Sequence, residues 1–233
     1  SVEMKDILFK KDSGQGSVAA PTPPAPPQAV ETSDQIVEIG ADGSPQVEKW
    51  KAQHVTNGDG NYTFQSDVTL RSQITDCQYK MKGGRKGNII VDFRGSAAGS
   101  TIDMNGKKLT LDMASNDPSD RHSAVGIGVQ GNTLEIKNAG GVDINLSGHK
   151  GTTDAIYVSG RRVSSNSSKV GKLIIHNDDR PEHAVKIRST AANEYGTAIR
   201  AKHAYVDDTL VDIKGLVDVE MEGGEALLKA ETS

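Results

Sequence analysis

The chain has 233 residues, a net charge of −4, a single cysteine and only 4% aromatic residues. The lone Cys77 excludes a disulfide framework or a thiolate metal site within the chain, and the absence of overall positive charge argues against a nucleic-acid partner. No apolar run approaches the roughly 20 residues of a membrane-spanning helix. Low aromatic content and 25 glycines are typical of a narrow core with many tight corners.

Residues 1–34 are predicted to be an N-terminal segment and a tether. Val2 to Phe9 is predicted to form one strand that docks elsewhere in the molecule. Five of the eight prolines lie between Pro21 and Pro27. This density of proline favours an extended, semi-rigid tether of polyproline II character over a packed core.

Residues 35–87 are predicted to be an irregular β region or an N-terminal cap. Gln46–Val55 is the only segment with a hint of helical period. Asn57, Asp59 and Asn61 have the spacing of a calcium loop. The twelfth position is Val68 instead of Glu, however, so an EF-hand is excluded and a simple turn is favoured.

From residue 88 to residue 233, short apolar strands recur in one fixed order. An Ala-apolar-x-apolar strand precedes a Leu-x-Ile strand and then a Val-x-Ile strand. Copies begin at Ala124, Ala155, Ala198 and Ala226, which are 31, 43 and 28 residues apart. A repeated order predicts a parallel β-solenoid with three strands per coil, because each strand then pairs with its equivalent one coil later. The residues expected to be buried are Val125, Ile127, Leu134, Ile136, Ile156, Val158, Leu173, Ile175, Ile199, Leu210 and Ile213.

The pattern resembles the right-handed parallel β-helix of bacterial autotransporter passenger domains, the exported part of type V secretion systems. The matching segments, which cover roughly residues 88–230, are Thr153–Val158, Gly196–Ala201, Gly224–Ala230, Leu134–Ile136 and Leu173–Ile175. Pectate-lyase-like enzymes and phage tailspikes share this architecture. The resemblance implies a secreted or bacterial cell-surface location, with the full-length protein anchored in the outer membrane, and a role in adhesion or aggregation. Coil length in this chain is irregular, and residues 35–87 match the pattern poorly.

Long insertions at the corners supply the candidate binding residues. Residues 155–205 carry nine Lys and Arg against four Asp and Glu, a net charge of +5, whereas residues 206–233 have a net charge of −6. Loops that project from a rigid solenoid are natural recognition sites, and a cationic one favours anionic partners. The candidate residues are Arg161, Arg162, His176, Asp178, Asp179, Arg180 and His183. A polar loop between two strands accounts for residues 176–183 equally well.

Three functions fit these observations. The first is a non-enzymatic adhesin fragment that binds a host-cell or bacterial surface glycan or protein, without cofactor. The second is a secreted polysaccharide lyase or hydrolase, which needs clustered carboxylates. Asp178 and Asp179, with Arg180 or Arg188 as the basic residue, are the candidates for a lyase. Asp103, Asp112, Asp143 and Asp212 lie in or beside strands and would form a row in a hydrolase, although simple outward alternation explains them equally well. The third is a spacer that associates with a second copy of itself.

Overall fold

The fold was taken from a computed structural model. It describes residues 2–9, 31–33, 37–38, 61–64, 67–71, 86–92, 100–112, 124–147, 153–193, 196–203, 209–223 and 226–232. Apart from one 3-10 turn at Pro181–His183, every regular element in these ranges is a β-strand, which confirms the all-β class. The described residues contain no helix that is long and apolar enough to cross a membrane. Gln46–Val55, Asn57, Asp59 and nearly all of the predicted tether lie outside these ranges.

Almost all of the strands fall into three rows, and neighbours within each row pair in parallel. Row A consists of β3 (Val37–Glu38), β6 (Lys86–Asp92), β9 (Ala124–Gln130), β12 (Thr153–Ser159), β17 (Gly196–His203) and β19 (Ala226–Thr232). Row B consists of β4 (Asn61–Thr63), β7 (Ser100–Asp103), β10 (Thr133–Ala139), β15 (Lys172–Asn177) and the first part of β18 (Thr209–Gly223). Row C consists of β2 (Glu31–Ser33), β5 (Val68–Arg71), β8 (Leu109–Asp112), β11 (Val142–Asn145), β16 (Val185–Asn193) and the second part of β18.

The chain visits the rows in the repeating order A, B, C. Strands β6, β7 and β8 are followed in the same order by β9, β10 and β11, and each later strand pairs with the strand one repeat earlier. The short strands β3, β4 and β5, within residues 35–87, already belong to the three rows. The parallel strands curl into a half-barrel. This arrangement is compatible with the predicted solenoid.

One apolar cluster joins the three rows. Alternate side chains of each strand point into it, as the Val142–Asn145 strand shows: Val142 and Ile144 are buried and the residues between are not. The cluster includes Ile156 and Val158 from row A, Leu173 and Ile175 from row B, and Val185 and Ile187 from row C. Every residue expected in the core is buried except Leu210, which is half-buried.

Three details of the predicted strand pattern are wrong. Leu210 faces outward because Val211 and Ile213 take the two inward positions of that part of β18. The residue that aligns with Ala155 is Gly126, two positions after the expected Ala124. In β19, Ala226 pairs with Thr197, one position before Ala198.

The N-terminal strand β1 (Val2–Phe9) does dock elsewhere, as predicted. It pairs in parallel with β18, on the edge opposite β15 and β16. A register shift between Lys5 and Ile7 accommodates Asp6, which has a left-handed backbone (φ 57°). Residues 10–30 therefore connect β1, which pairs with β18, to β2, at the far end of row C.

The insertion at Arg161–Val170 contains a small antiparallel hairpin instead of an irregular loop. Strands β13 (Arg161–Ser164) and β14 (Ser167–Lys169) pair around a turn at Ser165 and Asn166. This hairpin forms a separate two-stranded sheet, which does not join the three rows.

Candidate functional site

The hairpin carries two of the candidate cations. Arg161 is opposite Lys169 in the antiparallel register, and Arg162 is opposite Ser168. Arg162 is exposed, and its guanidinium donates hydrogen bonds to the carbonyl oxygens of Ser164 (3.2 Å) and Ser165 (3.1 Å). These bonds hold the side chain against the hairpin turn, so Arg162 presents a positive charge at a fixed place on the surface.

The loop between β15 and β16 holds four of the other candidates. His183 Nδ1 lies 2.9 Å from Asp178 Oδ1, and the backbone N–H of Arg180 donates to the same oxygen over 3.0 Å. The backbone hydrogen bond from Arg180 keeps the pKa of the exposed Asp178 carboxyl below its usual range; burial opposes this shift, and the contact with His183 adds to it. Asp179 is exposed beside them. Asp178 is thus occupied in shaping the turn that leads into Pro181–His183.

His176 does not join this loop cluster. It is half-buried near the end of β15, with Lys214 of β18 as its register partner, and its electrostatic effect reaches Asp212. The hairpin and the 178–183 loop lie at the two ends of β15, which are roughly 20 Å apart for a six-residue strand. The seven candidate residues therefore form three separate groups: the hairpin arginines, His176, and the loop residues 178–183.

A groove lies next to the 178–183 loop, on the outer side of row C. It has a volume of about 350 Å³. Its lining consists of Pro181, Glu182, Ala184, Lys186, Leu216 and Asp218. The mixture of an apolar floor with one cation and two carboxylates suits a polar ligand that has both donors and acceptors.

Opposite charges alternate across the outer face of row C. Asp143, Lys186 and Asp218 are consecutive register partners on β11, β16 and β18. Asp143 also pairs with Lys108 over 2.8 Å. The charges compensate one another locally, so this face is polar without being strongly cationic or anionic.

Arg188 is the best-connected cation of this face. Its Nη2 lies 3.0 Å from Asp218 Oδ2, its Nη1 donates to the carbonyl oxygens of Ile187 and Asp218, and its Nε lies 3.3 Å from Glu220 Oε2. The sequence prediction named Arg188 only as a candidate basic residue of a lyase, and it did not include Lys186 or Asp218. The sequence does contain a signal for this charged face. In the aligned segments 142–145, 185–188 and 217–220, the second and fourth residues point outward and are charged or polar.

A second group outside the prediction lies on row A. All seven residues of β12 are buried, although only one side of the strand faces the main cluster. Tyr157 packs against Val125, and the Arg200 guanidinium lies 5.6 Å from the centre of the Tyr157 ring. Arg200 Nη1 is also 3.7 Å from the carboxylate of Asp154, whose side chain is 1% exposed. Nothing in an isolated sequence marks this outer side of row A as covered.

The four aspartates of the enzymatic alternative do not form a row. Asp103 accepts from the Asn138 side chain over 3.0 Å in row B, and Asp143 pairs with Lys108 in row C. Asp112 is the register partner of Asn145, and Asp212 lies between Ile174 and Lys5. The expected convergence of carboxylates is therefore absent for these four residues.

Across the described ranges, no group of three or more His, Cys, Asp or Glu side chains converges in a way that would hold a metal ion. Comparison of the chain with protein-family models, with curated proteins and with solved structures found no match.

Proposed function

We propose that the three rows form a right-handed parallel β-helix with three strands per coil, and that the chain is a non-enzymatic adhesin fragment of the autotransporter passenger type. In this proposal it acts at the bacterial surface or after secretion and binds a glycan or protein on a host or neighbouring cell. The order A, B, C and the single apolar cluster shared by all three rows support the coil.

The observation that carries the binding role is the hairpin β13–β14. It is an ordered polar projection on a rigid stack, and Arg162 is fixed on it by two hydrogen bonds. A pre-positioned guanidinium loses less conformational entropy on binding than a free one, and it suits carboxylate or sulfate groups in particular. Sulfated or sialylated glycans and acidic protein surfaces are the partner classes that follow.

The test compares variants that remove positive charge from different surfaces. Binding of the chain to cells, or to immobilised heparin as a sulfated probe, is expected to decrease with salt, and Arg161→Ala/Arg162→Ala is expected to weaken it. The matched control is Lys137→Ala/Lys214→Ala, which removes two charges from exposed residues of row B. Arg180→Ala tests the other end of β15, where the cation already faces Asp178.

Salt-independent adhesion that survives in all three variants would exclude the hairpin as the binding site. Equal losses in the hairpin variant and in the row B control would show attraction by overall charge instead of a site. Release of unsaturated or reducing sugar ends from a polysaccharide panel would favour the enzymatic alternative.

A further inference from the structure

The N-terminal strand β1 lies at the end of the stack, and each of its side chains is exposed or half-buried. Val2, Met4, Ile7 and Phe9 are half-buried, and Leu8 is 54% exposed. By contrast, β1 covers a part of β18 whose inward-facing apolar side chains have no exposed surface. These are Val211, Ile213 and Val217. Elements with little buried surface open at lower free energy than the core they cover.

The junction between β1 and β18 also contains two unfavourable features. Asp6 has a left-handed backbone that non-glycine residues seldom adopt, at the point where the register shifts. The carboxyl of Asp6 lies against that of Asp212. Like charges in contact weaken the pairing of the two strands.

An open β18 edge would expose apolar side chains and unpaired backbone groups, and such an edge pairs readily with another strand. Its best partner is a strand with the pattern of β1, in which Val2, Met4, Ile7 and Phe9 pack against the core cluster. A second copy of this chain supplies that same strand. Exchange of an identical element between molecules recreates every contact at little cost.

The connection to β1 is long enough for exchange. Six strand-to-strand steps separate β2 from β1 along the sheet, or roughly 29 Å at about 4.8 Å per step. The 21 residues from Lys10 to Val30 have a maximum reach of roughly 70 Å, at about 3.3 Å per residue. A connection with about twice the required reach can place β1 on its own β18 or on that of an adjacent molecule.

We propose that β1 is an exchangeable strand and that the outer edge of β18 accepts β1 of a second copy of this chain. Reciprocal exchange gives a closed dimer, and one-way exchange gives a head-to-tail chain of molecules. The inference is independent of the adhesin role, because it involves neither the hairpin nor the groove.

The test is a disulfide that forms only across molecules, in a Cys77→Ser background. One chain carries Leu8→Cys, and a second chain of different tagged mass carries Leu216→Cys; these residues are register partners. Adjacent strands bring α-carbons to about 4.8 Å, within the range of a disulfide. Oxidation of the mixture at high protein concentration is expected to give the mixed covalent dimer. Leu8→Cys mixed with Ser167→Cys, an exposed hairpin position, is expected to give no more than background.

A chain that carries both Leu8→Cys and Leu216→Cys completes the test. It is expected to form an internal disulfide in dilute solution and linked multimers in concentrated solution. An internal disulfide alone at every concentration, with no mixed dimer, would show that β1 stays on its own chain and would overturn the proposal. No disulfide of either kind, or equal crosslinking to the Ser167→Cys control, would overturn it as well.

Discussion

The side chain of Asn177 fills the space next to the α-carbon of Gly215, in the middle of β18. A Cβ atom at position 215 would lie 2.5 Å from Asn177 Cγ and Oδ1. The Asn177 side chain is held there because its amide donates to the carbonyl oxygens of His183 (3.0 Å) and Leu216 (3.3 Å). This contact ties successive repeats together at the point where β18 passes from row B to row C.

Gly215→Ala is therefore expected to lower the free energy of unfolding by about 2–4 kcal/mol, through a clash with Asn177 and strain at a φ of +132°. Gly106→Ala is the matched control, because Gly106 also has a positive φ (+74°) but has nothing within 4 Å of the added atom. It should cost only about 1 kcal/mol. Denaturant unfolding of the two variants separates strain from clash, and equal losses would show that Asn177 moves aside.

The inside and outside of the stack can be tested with a single charge. Ile156→Asp and Leu173→Asp each place a carboxylate where the native side chain has no exposed surface, and each is expected to cost several kcal/mol. Ser167→Asp, on the exposed hairpin strand β14, should change the stability by less than about 0.5 kcal/mol. A urea midpoint for Ser167→Asp as low as those of Ile156→Asp and Leu173→Asp would contradict the assignment of the core.

The strand pattern could be predicted from sequence because inward and outward residues alternate. Val142, Ile144, Val185 and Ile187 alternate with polar residues, so both the strands and their inward sides were predictable. At Leu210 and Val211 two apolar residues are adjacent, and the prediction placed Leu210 inside together with Ile213. Alternation instead puts Val211 on the same side as Ile213, because Asp212 and Lys214 take the other side, and Val211 and Ile213 are indeed buried.

The grouping of the candidate site could not be predicted in the same way. Arg162 and Arg180 are separated in sequence by two short strands, β14 and β15, and they lie beyond opposite ends of β15. Their relative position depends on where the corners fall. The hairpin itself is built from serine-rich sequence, whose strand preference is low, so its pairing depends on the context of the fold.

Two arginine–aspartate pairs are expected to differ in their contribution to stability. Arg188 and Asp218 are about one-quarter exposed, and Arg188 also donates to backbone carbonyls, whereas Arg180 and Asp178 are at least half exposed and 3.6 Å apart. Arg188→Ala should cost about 1.5–3 kcal/mol, because it also leaves partly buried acceptors without a donor. Arg180→Ala should cost less than about 0.5 kcal/mol. Arg188→Lys serves as a further control, since it keeps the positive charge but loses the guanidinium and its several N–H donors. Stability equal to that of the natural chain in this variant would show that the charge of Arg188, and not its hydrogen bonds, stabilises the fold.

The junction of β1 with β18 is expected to weaken as the pH rises. Burial raises the pKa of the Asp212 carboxyl above its usual range, and contact with Asp6 raises it further, while His176 and Lys5 oppose the shift. A carboxyl with a raised pKa in the folded state favours folding in its protonated form. Its contribution is fully present below the ordinary aspartate pKa of about 3.9 and is lost as the pH rises through the raised value.

Asp212→Asn removes that dependence, because an amide stays neutral at every pH. Relative to the natural chain, the variant is expected to gain stability as the pH rises from about 4 to 7, with better protection of β1 against proteolysis and amide exchange at neutral pH. Asp143→Asn is the control, because it removes a carboxylate that faces Lys108 over 2.8 Å and should give no such gain. A constant difference between Asp212→Asn and the natural chain across this range would show that the Asp6–Asp212 contact does not govern the docking of β1.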